Sequence, residues 1–241
     1  MIFQILQSDL GFMDKTIMLV YMPVVILLSL TIHEVSHGLA SYIQGDPTAK
    51  LMGRITLNPL KHLDPLGTLC MVICGFGWAR PVPIDPRFYK NKKKGTALTA
   101  LAGPITNLVI GIWFLTFYCV MFWLVETEMI QIMPILKHIP AYMYRLIYNL
   151  MYIAFYYNLL LAVFNLFPVP PLDGSRIMLA VLPTKTYFRI MRYERVIMLV
   201  LFLMLWTGAF TGIFEVVVDT IIRGVSTLVF AVLEAFFNTI M

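Results

Sequence analysis

The chain has 241 residues, of which 60% are hydrophobic and 13% are charged, and its formal net charge is +5. An ordinary soluble domain has about 25% charged residues, and several separate apolar runs here approach the ~20 residues that cross a bilayer as a helix. This composition argues against a soluble globular protein. The positive charge does not indicate a nucleic-acid partner, because the basic residues concentrate in loops between apolar segments, as membrane topology requires.

The first apolar run covers about residues 17–43 and ends at a Gly-Asp-Pro helix breaker at residues 45–47. We predict a membrane-spanning helix here, and it contains an H-E-x-x-H motif formed by His33, Glu34 and His37. On a helix this spacing places two imidazoles on one face with a carboxylate beside them. Two such histidines can share one zinc ion, and the glutamate can accept a proton from zinc-bound water.

A second apolar run, at residues 66–76, is too short to cross a bilayer as a helix and is flanked by proline and glycine. We therefore predict that residues 50–85 form a re-entrant or strand-and-turn segment, which other parts of the protein must cover at membrane depth. Three further spans are predicted, at residues 97–124, 147–167 and 195–213.

The tail at residues 214–241 carries Glu215, Asp219 and Arg223 at spacings of four, which places a polar stripe on one helix face. Such a stripe is typical of a helix that lies at the membrane interface or packs against the bundle, and a fifth span is the alternative. The predicted fold class is an all-α polytopic membrane protein, with about four to five transmembrane helices and a membrane-embedded re-entrant or β-hairpin segment.

Most Lys and Arg residues lie in two loops, at residues 44–96 and 168–194. The positive-inside rule places these loops in the cytoplasm and the N-terminus outside. His33 and His37 then lie below the cytoplasmic end of the first helix. Ionisable groups at membrane depth are costly unless they are paired or bound, so we interpret the H-E-x-x-H cluster as functional.

A catalytic zinc ion takes three protein ligands and keeps one position open for water. The candidates for the third ligand are His62, His138, the pair Cys70/Cys74 and Asp173. His138 falls in a loop on the opposite side of the membrane. Asp173 directly follows the third span and returns to the same face as the two histidines; its alternative interpretation is a helix N-cap. His62 lies on that same side and remains a rival.

Two motifs of the chain resemble the site-2 protease family of intramembrane zinc metalloproteases. The family pattern joins an H-E-x-x-H helix to a distant N-x-x-P-x-x-x-L-D-G segment, which residues 33–38 and 165–174 match. Three other segments are similar to the compact prokaryotic branch of the family, at residues 58–65, 75–83 and 102–107. The resemblance covers about residues 17–183, and we see no inserted PDZ-like domain and no nucleotide-sensing domain.

The resemblance implies a zinc metalloendopeptidase with one zinc ion per chain, held by His33, His37 and Asp173, and with Glu34 as the general base. Asn165 would then hydrogen-bond the substrate backbone. The segment at residues 75–83 would line the site and pair with an extended substrate by strand addition. The candidate substrate-binding residues are Asn165, Gly75, Phe76, Gly77 and Trp78. Asn107 and His62 are candidate supporting residues without an assigned contact.

The resemblance further implies one integral-membrane protease domain over residues 1–241, with a core at 17–183 and C-terminal helices at 195–241. The expected setting is the prokaryotic inner membrane, with the active site toward the cytoplasmic face. The expected partners are the bilayer and a membrane-protein substrate with a transmembrane segment. Two other functions stay open: a divalent-metal transporter, which needs ligands at several depths, and a catalytically silent membrane adaptor, which does not need Glu34.

Overall fold

The computed structural model describes residues 11–74, 77–127, 140–209 and 211–240, and most of them are helical. Two short 3₁₀ turns lie between the helices, at Pro59–Lys61 and Pro86–Phe88. The helices are α1 (Phe12–Ile43), α2 (Thr48–Leu51), α3 (Pro65–Cys74), α4 (Lys92–Glu126), α5 (Ala141–Leu166), α6 (Asp173–Val181), α7 (Thr184–Met191), α8 (Glu194–Trp206) and α9 (Thr211–Ile240).

Four helices among the described residues are long and apolar enough to cross a membrane. The shortest of these spans has 25 residues, which corresponds to ~38 Å at ~1.5 Å per residue and exceeds the ~30 Å hydrocarbon core. The expectation of an all-helical, multi-pass membrane protein is therefore confirmed. The spans are Lys15–Ile43 in α1, Lys92–Glu126 in α4, Tyr142–Leu166 in α5 and Phe214–Thr239 in α9.

The span predicted at residues 195–213 is wrong. Helix α8 has only 13 residues, about 20 Å of helix, and it ends at a turn where Gly208 adopts a φ of 73°. The uninterrupted apolar composition hid this turn, since hydropathy does not register a single left-handed glycine. The fourth span lies instead in the tail, where Phe214 and Val218 of α9 are buried and the stripe with Asp219 faces outward.

Helix α4 is the central element of the bundle, because it contacts α1, α5, α6 and α9. A buried cluster joins α4, α5 and α9 and contains Leu115, Cys119, Phe155, Leu159 and Val218. A smaller contact of Val25 with Ile153 and Ala154 joins α1 to α5. Helix α1 also contacts α4, and Gly103 of α4 lies beside the two histidines of the H-E-x-x-H motif.

The segment at residues 50–85 contains helix α3 where the sequence favoured strands and turns. Its apolar run satisfies its own backbone groups by helical hydrogen bonds, which suits a segment surrounded by apolar groups. Strand pairing among the described residues is limited to one antiparallel bridge between Leu63 and Ala79, beside which the Arg80 amide donates to the His62 carbonyl oxygen at 2.8 Å. The expected β-hairpin is thus reduced to a single bridge, and Gly75 and Phe76 lie outside the described residues.

Gly77 explains how the extended chain after α3 stays close to that helix. A Cβ atom at Gly77 would lie 2.1 Å from the carbonyl oxygen of Gly67, and one at Gly67 would lie 2.2 Å from the carbonyl oxygen of Trp78. The backbone of α3 at Gly67 therefore touches the backbone at residues 77–78, where there is no room for a side chain. This contact leads the chain from α3 back along α1, toward Glu34.

Candidate metal centre

Helix α1 presents His33 and His37 one turn apart on the same face, as their spacing predicts. Their Nε2 atoms lie 3.0 Å apart, and each lies 3.0 Å from Oδ2 of Asp173, the first residue of α6. Both histidines are buried, with 4% and 6% of their surfaces exposed. Among the described residues this is the one group of three His, Cys, Asp or Glu side chains that could share a metal ion.

The short turn between α5 and α6 brings Asp173 to the histidines. A Cβ atom at Gly174 would lie 2.3 Å from the carbonyl oxygen of Phe167 and 2.4 Å from that of Leu166, so the glycine lets α6 start directly against the end of α5. The N-cap of α6 is Leu172, which makes no side-chain cap hydrogen bond. The N-cap interpretation of Asp173 is therefore wrong.

Asp173, His33 and His37 form a donor set for a metal ion. An ionised carboxylate and neutral imidazoles are the protonation states that ligate metals. In those states Oδ2 of Asp173 and the two Nε2 atoms, 3.0 Å apart, can all direct lone pairs at one cation.

The histidine nearer the end of α1 has its tautomer fixed by the backbone of α4. Nδ1 of His37 lies 2.7 Å from the carbonyl oxygen of Thr99. A carbonyl oxygen can only accept, so Nδ1 donates, and the Nε2 lone pair of this ring points toward His33 and Asp173. Such a hydrogen bond on the far nitrogen is the usual way in which proteins orient a metal-binding histidine.

Gly103 lets α4 pass close to the two imidazoles. A Cβ atom at this position would lie 2.6 Å from Nε2 of both His33 and His37, which no real Cβ contact allows. Sequence reasoning quoted this segment only as part of a resemblance and gave Gly103 and Thr99 no role. The available signal for Gly103 was a glycine directly before a proline, Pro104, inside a long helix.

The three candidate ligating atoms fit a zinc ion. Zinc binds histidine nitrogen and carboxylate oxygen at about 2.0–2.2 Å, and atoms at those distances from one ion lie roughly 3 to 4 Å from one another. The 3.0 Å separations among His33, His37 and Asp173 fall at the short end of that range. Two nitrogens and one carboxylate oxygen are also a donor set that zinc uses in hydrolytic sites.

The family model named Peptidase family M50 matches residues 21–208. The chain belongs to this family. The expected membership in the site-2 protease group is thereby confirmed, and the chain is a peptidase by family.

Two relatives of this M50 peptidase carry provisional names as zinc metalloproteases. The chain is 37% identical over 163 residues to YwhC of Bacillus subtilis (strain 168), which covers 68% of this chain and 69% of the relative. It is 32% identical over 95 residues to Rip2 of Mycolicibacterium smegmatis, which covers 37% of this chain and 36% of the relative. No solved structure matches the chain.

Glu34 of the M50 site lies beside the metal-ligand candidates but faces a different element. Its Oε2 atom accepts a hydrogen bond of 2.8 Å from the Val82 amide. Val82 belongs to the extended chain after α3 and packs against α1, where a Cβ atom at Gly38 would lie 3.2 Å from Val82 Cγ1. The extended segment therefore borders the carboxylate that the H-E-x-x-H motif contributes.

Two rival ligands of the M50 chain, His62 and Cys70, do not join the cluster. Nε2 of His62 donates to the carbonyl oxygen of Thr56 at 2.9 Å, and His62 lies outside the only potential metal group of the described residues, as does Cys70. His138 and the side chain of Cys74 are not among the described parts of the chain.

The expected substrate-binding residues are placed as follows. Asn165 donates from Nδ2 to the carbonyl oxygen of Leu161 at 3.0 Å, so its NH₂ group caps its own helix. Trp78 is 42% exposed. Asn107 is fully buried, and neither polar atom of its amide has a hydrogen-bond partner among the described residues. Because it lies one turn after Gly103 on α4, its side chain shares the helix face that borders the histidines.

Proposed function

We propose that this M50 protein is an intramembrane zinc metalloendopeptidase that cleaves peptide bonds within or near transmembrane segments of other membrane proteins. The observation that carries the proposal is the 3.0 Å triangle of His33, His37 and Asp173 among helices long enough to span a bilayer. The names of the two relatives support zinc as the metal. We infer one zinc ion per chain.

His33, His37 and Asp173 would hold the ion. Bound zinc acidifies a water molecule and polarises the carbonyl group that is attacked. Thr99 keeps the His37 ring in the ligating tautomer through its carbonyl oxygen. Burial of both histidines excludes competing bulk water from the ligand side of the site.

We assign Glu34 the role of general base. It lies next to His33 on α1, so its carboxylate reaches the neighbourhood of the ligands while contributing none of the three ligating atoms. A carboxylate in this position can take the proton of the attacking water and pass it to the leaving amine. The Val82 amide holds this carboxylate in place, because it donates to Oε2.

The substrate of such a site is a peptide whose helix has opened, because helical carbonyl groups are already hydrogen-bonded. The extended segment at residues 77–83 borders the site and is the proposed partner for strand addition. Its donors are few: the Arg80 amide already donates to His62, the Val82 amide donates to Glu34, and prolines 81 and 83 have no amide hydrogen. Pairing would therefore use carbonyl groups of this segment, or the amides of residues 77–79.

Asn165 and Asn107 are proposed to support the substrate and the site. The Oδ1 atom of Asn165 is left to accept a hydrogen bond, since Nδ2 is engaged by its own helix. The unpaired amide of Asn107 borders the histidine face of α4. His62 is assigned only the task of holding the extended segment, through the hydrogen bond from Arg80.

The proposed setting is the inner membrane of a prokaryotic cell, with residues 1–241 as one protease domain and the centre near the cytoplasmic face. Basic residues concentrate at residues 44–96 and 168–194, which favours that orientation. A cavity of about 220 Å³ on this side is lined by groups that include Thr99 and Arg176. We propose that water enters the protein from that side.

The test combines zinc content with cleavage for wild type and Glu34→Gln. Glu34→Gln should keep about one zinc ion per chain and lose cleavage of a single-span model substrate, because it removes the base but no ligand. Equal function of Glu34→Gln and wild type would support an adaptor. Zinc that crosses a vesicle membrane with this protein, without any cleavage by wild type, would support a transporter.

A further inference from the structure

A buried chain of side-chain hydrogen bonds connects the loop after α1 to the metal centre. Its members are Asp46 and Ser41, which have no exposed surface, and Tyr89 and Thr99, which are 4% and 1% exposed. They come from three separate parts of the sequence: the end of α1, the extended chain before α4, and α4 itself. Four polar side chains in one buried line are costly unless each is satisfied.

The donor and acceptor of each hydrogen bond in this series follow from the negative charge of Asp46 at one end. Ser41 Oγ lies 2.7 Å from Asp46 Oδ2, and an ionised carboxylate can only accept, so Ser41 donates. Ser41 has one proton and must therefore accept from the Tyr89 hydroxyl at 2.6 Å. Tyr89 in turn accepts from Thr99 Oγ1 at 3.0 Å.

Gln44 completes the chain at its other end. Its Nε2 atom donates to Thr99 Oγ1 at 2.7 Å, and that nitrogen also faces the carbonyl oxygens of Ala40 and Gly95, which only a donor can do. Every hydroxyl then donates one hydrogen bond and accepts one. This series of hydrogen bonds fixes the side chain of Thr99. The carbonyl oxygen of the same residue accepts a hydrogen bond from His37 at 2.7 Å.

Asp46 has a second connection, to the extended segment that holds Glu34. Its Oδ2 atom accepts from the Asp85 amide at 2.8 Å, and Oδ1 accepts from the Thr48 amide at 2.9 Å. Three residues before Asp85, the Val82 amide donates to Glu34 at 2.8 Å. The segment at residues 82–85 is thus fastened at both ends to carboxylates that lie on α1 or directly after it.

We propose that Asp46 is a positioning residue of the active site, which orients the ligand His37 through Ser41, Tyr89 and Thr99 and orients the base Glu34 through residues 82–85. This inference rests on the proposed function, since it assigns a task to a residue outside the metal cluster. Burial alone would raise the pKa of Asp46, but hydrogen bonds from Asp85, Thr48 and Ser41 outweigh it and lower the pKa. The charge that sets the proton directions is therefore present at neutral pH.

Two variants test the connection from Asp46 to His37 separately from the connection from Asp46 to Glu34. Tyr89→Phe removes one hydroxyl from the chain to His37 and leaves residues 82–85 fastened to Asp46. Asp46→Asn weakens both, because it removes the charge and leaves one amide oxygen where Ser41, the Asp85 amide and the Thr48 amide all donate to the carboxylate. The matched control is Tyr42→Phe, since the Tyr42 hydroxyl is bonded to Lys50 on the exposed side of α1 and touches no member of the chain.

The measurements use the full chain in detergent: zinc affinity by chelator competition, the melting temperature of the metal-free protein, and the cleavage rate of a single-span model substrate at saturating zinc. Loss of a hydrogen bond that orients a ligand typically costs 10–100-fold in metal affinity. Tyr89→Phe should therefore bind zinc about 10-fold more weakly, and the melting temperature of the metal-free protein should fall only modestly, because one buried hydroxyl is lost. Asp46→Asn should in addition lower the turnover rate at saturating zinc, with KM unchanged, and Tyr42→Phe should match wild type.

Failure of this proposal is distinct from failure of the proposed function. Wild type that binds no zinc would overturn the proposed function. If wild type binds zinc and Tyr89→Phe binds it equally well, the chain does not position His37 and the inference is wrong. A lower melting temperature of the metal-free Tyr89→Phe protein with unchanged zinc affinity would overturn it too, because the chain would then serve stability alone.

Discussion

Nε2 of His33 and Oδ2 of Asp173 lie 3.0 Å apart although 140 residues separate them in the chain. Closing so long a loop is entropically costly, and the packing of α4 against both α1 and α6 offsets that cost. Helix α4 therefore does more than fill the bundle. It carries Gly103, which leaves room for the imidazoles, and Thr99, which orients one of them.

Contacts with other parts of the fold restrict the positions of the candidate ligand side chains. Two of the three candidate ligands are fixed by another part of the chain: His37 by the Thr99 carbonyl oxygen of α4, and Asp173 by the turn at Gly174. This arrangement holds those two candidate ligating atoms in place in the structure itself. A prearranged site of this kind loses little entropy when it binds a metal ion.

The first prediction concerns the third ligand. Asp173→Asn removes the carboxylate charge with almost no change in volume, so zinc content should fall from about one per chain to a small fraction, because two neutral imidazoles hold the ion far less tightly. Metal analysis of the purified protein measures this. Glu34→Gln is the matched carboxylate-to-amide control and should keep its zinc. Full zinc content in Asp173→Asn would show that another residue is the ligand.

The second prediction concerns the contact of α4 with the imidazoles. Gly103→Ala places a methyl group where only 2.6 Å separates it from Nε2 of His33 and His37, so the rings must move and zinc affinity should fall by at least 10-fold. Gly224→Ala on α9 is the control, since no atom lies within 4 Å of the added methyl. It replaces the same residue type in a helix and should leave affinity unchanged, with stability raised by up to ~1 kcal/mol.

Equal zinc affinity in Gly103→Ala and Gly224→Ala would contradict the close packing of α4 against the site. Chelator competition gives the affinities, and the melting temperatures of the metal-free proteins show whether the added methyl group has disturbed the fold instead. A local effect predicts that affinity falls much more than stability for Gly103→Ala.

Part of this site could be predicted from the sequence because helical periodicity is a local property. His33 and His37 share a face on any α-helix, and the apolar run that contains them fixes the helix. From the residues alone Asp173 was one of several candidates, and only the family resemblance singled it out. Its distance from the histidines depends on how α5 ends and α6 begins, and the spacing of residues along the chain carries no such information.

Other contacts of the site leave no pattern in the amino-acid sequence from which they could be predicted. The group that orients His37 is the backbone carbonyl oxygen of Thr99, and every residue has a backbone carbonyl, so the sequence cannot single one out. The boundary between α8 and α9 failed for a different reason. A 19-residue hydropathy window averages over the turn at Gly208, and the apolar residues on both sides merged into one apparent span.

The third prediction concerns Asn107, which is fully buried with both amide atoms unpaired among the described residues. A buried polar group without partners costs about 1–3 kcal/mol. Asn107→Leu has a similar volume, so it should stabilise the metal-free protein against unfolding and slow the cleavage of a single-span model substrate. Lower stability with normal cleavage would show that the amide serves the fold and not the site.

The fourth prediction concerns the dependence of stability on pH. The folded-state pKa of Asp46 is lowered, so its contribution is fully present above the unfolded value of ~3.9 and is lost as pH falls through the folded value. The free energy of unfolding of wild type minus that of Asp46→Asn should therefore be largest near pH 6 and should shrink as pH falls below about 4. Subtracting the variant removes the effect of the other acids, which titrate in both proteins. A difference that stays constant down to pH 3, or grows as pH falls, would mean that the Asp46 carboxylate is not stabilised in its ionised form.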